Sequence, residues 1–529
     1  MRWIQDLNNF LKKSILFIII LCVIFHSSRI ESFTPGGKVN IYINDEPDYL
    51  NPLFSQKSTT KEILNLIFDG LINIDENGNL SPNLLISVPT LENKQIKIYT
   101  KNKKNKMIVI YKLRSHIYWH DNYPLTSEDI EFTWKSFIDP SISVVNRDGY
   151  DKIEKIELVD KLTAKVYFST IYPDFYLLFN HILPKHILKN KFYPLNQKHP
   201  FNRSPIGTGP FYFQEWKQSS NITLNVNNNY HKGRANLDQI NYKFSNFSKQ
   251  SLTKIVNDSD IIKNIPILLF PYIKDNPKLS FSFNPLFLVE HLDFNMKKPL
   301  LEDIRIRRAI AHAINKKQMV EEIFLDIMIP TDTDQYIPYN NSKIKFRYPY
   351  DIEKSKKLLE QTGLINSKPI SFDLLIVKDN YSHKLVAEFF KYSLEKIGIS
   401  LNIRPLQEKD FFTSLFVGNF DLALYTYKIG PKSDNYNRFF SKQIPPNGTN
   451  YTRFIDPDVD KLIIKANNTL DNKKRKFLYK KISDYLIEFI PTFPLYYHVN
   501  INSYNKNIYN FRPNAFQGDT WNSYEWWYR

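Results

Sequence analysis

The stretch Ser204-Pro205-Ile206-Gly207-Thr208-Gly209-Pro210-Phe211 contains two of the chain's 14 glycines, separated by a single residue and placed between two prolines. Proline fixes the backbone angle φ, and glycine, which lacks a Cβ atom, permits conformations and close contacts that other residues do not. The stretch therefore predicts a rigid corner at which another backbone segment approaches closely. No nucleotide-binding glycine pattern continues from it, so a plain structural loop explains the glycines equally well.

The segments around this corner show both strand and helix patterns. Ile304–Ile314 carries apolar residues on one helical face, which is typical of a helix packed on a core. Phe372–Val377, Lys384–Ile397 and Ile399–Ile403 form a strand, helix and strand pattern, the β-α-β unit of parallel sheets. Further predicted strands are Val39–Ile43, Met107–Arg114, Phe211–Phe213, Ile222–Val226, Leu288–Asn295, Phe420–Tyr425 and Phe493–Asn500. The fold class predicted is therefore α/β, with mixed sheets.

Length and composition indicate a folded protein of two or three domains. The chain has 529 residues, of which 42% are hydrophobic and 15% aromatic, too many for a disordered chain. Its formal net charge of +17 is spread along the sequence, and the one dense run, Lys101–Lys106, falls in a predicted hairpin tip. A coding bias toward Lys, Asn and Ile explains this charge as well as a functional role does. We therefore predict no nucleic-acid partner.

The N-terminal region resembles an export signal. The hydrophobic run Ile15–Phe25 follows Lys12 and Lys13 and is too short for a comfortable membrane span. Cys22, the only cysteine, lies in this run, which excludes an intramolecular disulfide. A lipoprotein site favours a small residue before the cysteine, whereas Leu21 stands there. We predict export to the periplasm or to the outer face of the cytoplasmic membrane, and leave open whether the segment is cleaved, retained as an anchor or lipidated at Cys22.

Patterns of catalysis and metal binding are weak. The chain has no Gly-x-Ser-x-Gly and no His-Glu-x-x-His motif. His116 and His120 are four residues apart, but they follow a strand pattern and have no third ligand nearby. Asp75–Asn79 resembles part of a calcium loop, although its glycine comes one position early and the closing glutamate is missing. We predict a hairpin turn there, and no catalytic residue, metal or cofactor.

Several short motifs follow one another between about Val39 and about Val499. They are Tyr49-Leu50-Asn51-Pro52, Phe68-Asp69-Gly70-Leu71, Trp119-His120-Asp121 with Pro124-Leu125-Thr126, Ile182-Leu183-Pro184-Lys185-His186, Pro205–Phe211, Asp303–Ile310 and Pro491–Leu495. Each motif alone is unspecific. Their joint order resembles that of family 5 extracellular solute-binding proteins, the oligopeptide/dipeptide-binding type that serves ABC importers.

The resemblance implies a two-lobed periplasmic-binding-protein-like fold (type II, peptide-binder class) with an additional α/β subdomain and a cleft between the lobes. Residues 1–37 would form the export signal or anchor plus linker, residues 38–68, 175–285 and 500–529 lobe I, residues 69–174 the extra subdomain packed on lobe I, and residues 286–499 lobe II. The chain would cross between the lobes near Phe281–Glu290 and near Tyr497–Asn502.

The resemblance also implies a function. The protein would be a monomer that captures a peptide or other small solute between its lobes and delivers it to an ABC permease complex. Lobe closure would depend on a higher affinity of the solute for the closed form. The candidate ligand-binding residues are Gln56, Lys57, Ser58, Tyr425, Tyr427, Lys428, Asp434 and Asn435.

One departure from the family pattern bears on the cargo. In the peptide binders of this type, the loop after the strand equivalent to Phe420–Tyr425 reads Gly-Trp-x-x-Asp, and its aspartate pairs with the amino terminus of the peptide. Here Tyr427 keeps an aromatic wall, but Gly430 stands in place of the aspartate and Lys428 adds positive charge. A buried ammonium without a carboxylate partner costs several kcal/mol. Asp434 is a candidate substitute, although a turn with Asn435 explains it too.

Three hypotheses follow. The leading one is a binding protein that delivers a peptide-like solute to an importer. The second is a membrane-tethered sensor or chaperone-like protein of the same fold with a non-peptide ligand. This hypothesis stays open because the N-terminal segment could be retained as an anchor. The third, a hydrolase of the cell envelope, is the least supported, because no catalytic motif accompanies it.

Overall fold

A computed structural model describes residues 35–55, 57–189, 194–334, 346–364, 369–429 and 435–529. Its strands are β1 Lys38–Ile43, β2 Ile72–Ile74, β3 Leu80–Pro82, β4 Ile96–Lys101, β5 Lys104–Lys112, β6 Ile153–Asp160, β7 Thr163–Phe168, β8 Phe211–Lys217, β9 Asn221–Val226, β10 Gln239–Phe244, β11 Ile261–Ile262, β12 Leu279–Phe294, β13 Ile329–Pro330, β14 Ile370–Val377, β15 Ile399–Leu406, β16 Leu422–Lys428, β17 Thr492–Asn505, β18 Ile508–Tyr509 and β19 Trp527–Tyr528.

The helices surround these strands. They are α1 Ser58–Ile67, α2 Ser127–Ile138, α3 Lys185–Leu188, α4 Lys249–Asp258, α5 Pro299–Glu302, α6 Ile304–Ala313, α7 Lys316–Phe324, α8 Ile352–Glu360, α9 Tyr381–Glu395, α10 Glu408–Val417, α11 Tyr436–Phe439, α12 Pro457–Asn467 and α13 Asn472–Phe489. Within the described ranges, none of them combines the length and the apolar composition that crossing a bilayer requires. The run Ile15–Phe25, with Cys22, lies outside these ranges.

The main sheet is 11-stranded and mixed. Its order is β15-β14-β16-β12-β17-β11-β1-β10-β9-β8, and β13 pairs with β17 beside this path. The long strands β12 and β17 are antiparallel and pair from Leu279–Asn505 to Asp293–Thr492. The strands β14 and β15 are parallel and connected through α9, which confirms the predicted β-α-β unit. The fold is the α/β, two-lobed fold that the resemblance implied.

Each lobe has its own buried core. The first core draws on residues between 39 and 261 and between 508 and 526, and it includes the four-stranded antiparallel sheet β4-β5-β7-β6. The second core draws on residues between 292 and 496. The two cores lie at opposite ends of the main sheet, so β12 and β17 run from one to the other. The finer division into lobe I, extra subdomain and lobe II stays a prediction.

The predicted glycine corner is confirmed as a site of close backbone approach. A Cβ atom on Gly207 would lie 1.8 Å from the carbonyl oxygen of Ile67, and one on Gly209 would lie 2.5 Å from that of Leu66. The N–H of Gly209 donates to the Ile67 carbonyl at 2.8 Å. The corner thus joins directly to the last turn of α1, at a distance that only glycine permits.

His120 holds this corner from the other side. Its ring Nδ1 accepts from the N–H of Gly207 at 3.2 Å, and its Nε2 donates to the carbonyl of Gly209 at 3.0 Å. Burial lowers the pKa of His120 to about 4, because the charged ring is poorly solvated there. The ring is therefore neutral at neutral pH, as this pattern of one acceptor and one donor nitrogen requires.

Candidate functional site

The two lobes join where β12 and β17 lie side by side. The predicted crossings, Phe281–Glu290 and Tyr497–Asn502, both fall in this pair of strands. Its register shifts between Pro285 and Val289, and again between Glu290 and His291. Such irregularities bend a strand and interrupt its ladder of hydrogen bonds. The connection between the lobes is therefore a paired ribbon whose ladder is interrupted at the junction.

An apolar group of side chains, here called the junction cluster, fills this place. Its members are Phe287, Val289, Ile429 and Tyr497, all buried, with Ile329, Tyr427, Ala515 and Phe516 packed against them. The ring of Phe516 meets that of Phe287 edge to face, with centroids 4.9 Å apart. The N–H of Ile429 donates to the carbonyl of Phe287 at 2.9 Å. The end of β16 thus meets the C-terminal segment, which packs on the first lobe.

Two of the predicted ligand-binding residues lie at this junction. Tyr427 is half-buried, and the guanidinium of Arg438 lies 4.2 Å from the centroid of its ring, close enough for a cation–π interaction. Lys428 is exposed and ends β16, opposite Leu288 of β12. An aromatic ring and an exposed lysine therefore follow one another at the end of β16, where the lobes meet.

The other predicted residues have different surroundings. Tyr425 is buried and donates its hydroxyl to Asp293 at 2.7 Å, and Asn435 is buried at the start of α11. Lys57 and Ser58 are exposed at the start of α1, where the Lys57 ammonium donates to the carbonyl of Glu46 at 3.2 Å. Gln56, Gly430 and Asp434 lie outside the described residues. The use of all these residues as ligand contacts stays a prediction.

A buried carboxylate on β12, which the sequence did not single out, supports β16 from one face. Glu290 accepts from the hydroxyl of Thr426 at 2.8 Å. The Nε2 atoms of His498 and His383 lie 3.1 and 3.2 Å from its two carboxylate oxygens. Burial opposes ionisation of Glu290, but the neighbouring rings of His383 and His498 outweigh this effect and hold the pKa of Glu290 well below its usual range.

A second buried network supports β16 from the opposite face. Arg438, on α11, donates to Asp334 at 3.0 Å and has a nitrogen 3.8 Å from Asp293. The Nε2 of His291 lies 3.3 Å from the same Asp293. Burial raises the pKa of Asp293, but His291 and Arg438 reverse this effect, so the pKa lies below its usual range. Arg438 therefore stays charged under the Tyr427 ring and fixes its position.

The described part of the chain contains no group of three or more His, Cys, Asp or Glu side chains arranged to hold a metal ion. The first network surrounds the carboxylate of Glu290 with two histidines, and the second surrounds two carboxylates, Asp293 and Asp334, with a histidine and an arginine. This arrangement can hold the Tyr427 ring rigidly at the junction of the lobes. Such a preformed surface suits the binding of a solute.

Comparison with known proteins identifies the family. The family model of bacterial extracellular solute-binding proteins, family 5 (middle), matches residues 81–447. The chain therefore belongs to this family of bacterial extracellular solute-binding proteins, and the resemblance recognised from its motifs is confirmed.

The relatives and solved structures agree with this membership. The oligopeptide-binding protein AppA of Bacillus subtilis is 26% identical over 522 residues, which cover 93% of this chain and 92% of AppA. The periplasmic oligopeptide-binding protein OppA of Salmonella typhimurium is 23% identical over 533 residues, which cover 93% of this chain and 94% of OppA. The structure of Bacillus subtilis AppA in complex with a nonapeptide is similar in fold, with a TM-score of 0.68 at 24% identity over 94% of this chain and 99% of AppA.

Proposed function

We propose that this protein captures a peptide-like solute in the cleft between its lobes and delivers it, unreacted, to an ABC importer. The observation that carries the proposal is the junction itself. Tyr427 of the second lobe packs in the same cluster as Phe516, which belongs to the segment that packs on the first lobe, and the exposed Lys428 follows Tyr427 in the strand. A solute bound there touches both lobes at once, and its binding energy favours the closed form over the open one.

The supporting networks give this surface its rigidity. Glu290 on one face of β16 and Arg438 on the other fix the strand end that carries Tyr427. A surface that is already ordered loses little conformational entropy when a solute binds. The junction therefore combines a rigid recognition surface with a connecting ribbon interrupted by register shifts, which suits lobes that move as units.

The peptide-like character of the solute is inferred from the relatives. AppA and OppA are named as oligopeptide-binding proteins, and the AppA structure contains a nonapeptide. We assign no catalytic step to the chain. We further propose that the N-terminal segment, residues 1–37, directs export, with cleavage, retention or lipid attachment at Cys22 as the alternatives. The proposed partner is an ABC permease complex.

The direct test uses the purified protein and a pool of free peptides of two to nine residues. Thermal unfolding should shift upward, because a ligand at one hundred times its Kd stabilises the folded form by about 2.7 kcal/mol. Small-angle X-ray scattering should show a smaller radius of gyration with the pool than without it. An unchanged unfolding temperature, or cleavage of the peptides during incubation, would contradict the proposal.

A further inference from the structure

Two lysines, one from each lobe, come together at the junction cluster. Lys61 lies in the first turns of α1, and its ammonium donates to the carbonyl of Phe516 at 3.3 Å. Phe516 packs on Phe287, which in turn accepts from the N–H of Ile429. Lys428 directly precedes Ile429 in the chain. Its charge is near enough to lower the pKa of Lys61, so the two ammonium groups lie close together beside the junction cluster.

Within the described ranges, neither lysine is neutralised by a carboxylate of the protein. Among the residues that the structure describes, no carboxylate oxygen lies within the 4.0 Å of an ion pair from the ammonium of Lys61 or of Lys428. Glu62, next to Lys61 in sequence, is buried and directed to Lys263, at 3.4 Å. Asp519 is bonded to that same lysine. The nearby acids of the first lobe are thus already engaged in a buried ion pair.

The electrostatics of Lys61 reflect this imbalance. Its side chain is exposed to solvent, yet the surrounding protein and the positive charge of Lys428 lower the pKa of Lys61 to about 8, against the opposing effect of Glu62. A positive charge is penalised in this way when neighbouring protein atoms displace part of its hydration and another positive charge lies nearby. A solute ammonium placed here would add a third positive charge, whereas an anion would relieve the repulsion between the lysines.

We propose that the solute carries a carboxylate that binds between Lys61 and Lys428. This inference rests on the proposed function and narrows its solute class to peptides or peptide-like acids that present a carboxylate to the junction cluster. Because each lobe supplies one lysine, the carboxylate engages both only when the lobes are closed. The pair would therefore supply the differential affinity that closure requires.

Three matched peptide pools test the charge of the solute. All contain tri- to pentapeptides without Asp, Glu, Lys or Arg. The anionic pool has acetylated amino termini and free carboxylates, the neutral pool has acetylated amino termini and carboxy-terminal amides, and the cationic pool has free amino termini and amides. In native mass spectrometry of the full chain, the anionic pool should bind at least about tenfold more tightly than the neutral pool, as charge-assisted bonds provide. The cationic pool should bind most weakly.

The outcomes separate this inference from the proposed function. Equal or tighter binding of the cationic or neutral pool would overturn the carboxylate site and leave peptide capture intact. If no pool binds, the peptide-like solute of the proposed function is contradicted, and this inference with it.

Lysine variants then test the two residues. Lys61→Gln and Lys428→Gln should each weaken binding of the anionic pool about tenfold and leave binding of the neutral pool unchanged. Lys391→Gln removes another exposed helical lysine, on α9, and should change neither affinity. Because the replaced side chains are exposed, thermal unfolding should be unaffected. Unchanged affinity for the anionic pool in both variants would overturn the site.

The pH dependence adds a readout that a structural role would not change. Binding of the anionic pool should weaken as the pH rises above about 8, because Lys61 then loses its charge. Lys61→Arg, which stays protonated, should retain the affinity and extend it beyond pH 9. A profile that is identical in the Lys61→Gln, Lys61→Arg and unmodified proteins would contradict the role of Lys61.

Discussion

At the residue scale, Gly207 and His120 show how few atoms fix the corner next to α1. The corner lies against the backbone of Ile67, and His120 bonds to both of its glycines. The glycine pair was visible in the sequence because glycine is scarce in this chain. The histidine was not, because it lies 87 residues before Gly207 and no local pattern connects the two.

Gly207→Ala should destabilise the first lobe by more than about 3 kcal/mol, because the added Cβ collides with a backbone carbonyl that cannot rotate away. Gly363→Ala is the matched control. A Cβ there meets nothing within 4 Å, and only the positive φ of +72° opposes it, at a cost of about 1 kcal/mol. Urea unfolding measures both variants. Equal losses would mean that the corner does not need its close approach.

His120 predicts a specific dependence of stability on pH. Its pKa falls from the ordinary 6.5 to about 4 on folding, so the unfolded chain binds the proton more readily between these values. The free energy of unfolding should therefore decrease from pH 6.5 to pH 4, by about 3 kcal/mol from this ring. His120→Asn should reduce that slope, whereas the control His116→Asn should keep it. Equal slopes in the two variants would exclude His120 as the source.

At the element scale, local patterns and long-range pairing differ in how well they could be predicted. The β14-α9-β15 unit followed from periodicity, since each of its segments is continuous in sequence. The sequence predicted only Leu288–Asn295 of β12, whereas the strand runs from Leu279 to Phe294. Near Pro285 the pairing register of the strand shifts, so the regular alternation of its side chains between the two faces is interrupted there. The supports of β16 could not be predicted, because Glu290 and His498 are 208 residues apart.

Glu290→Gln should destabilise the second lobe by about 3 kcal/mol, because it removes the buried negative charge between His383 and His498. Glu321→Gln, on the exposed side of α7, should change stability by no more than about 0.5 kcal/mol. Thermal unfolding in the absence of peptide compares the two. A Glu290 variant as stable as the control would show that β16 does not depend on this carboxylate.

Tyr427→Ala should weaken binding of the free peptide pool about tenfold or more, because it removes an aromatic wall that Arg438 holds in place. The fold should persist, since Tyr427 is only half-buried. Tyr381→Ala, which removes a highly exposed ring of α9, is the control and should bind normally. Titration calorimetry gives the affinities. A Tyr427 variant that is unfolded at ambient temperature would place the ring in the core instead of the cleft.

At the scale of the whole molecule, the order of motifs along the chain is enough to indicate the family. The motifs keep this order because each one occupies its own place in the fold. The family model that matches residues 81–447 confirms the family membership. The junction could not be predicted in the same way. It brings Phe287, Ile429 and Phe516 together from three distant parts of the chain, and none of these residues belongs to one of the sequence motifs.

Native mass spectrometry of the full chain, purified without denaturation and then incubated with free peptides, tests the central claim most directly. The account predicts one intact solute molecule per chain, recovered afterwards with its mass unchanged. Cleaved or modified peptides, or the absence of any one-to-one complex, would contradict it.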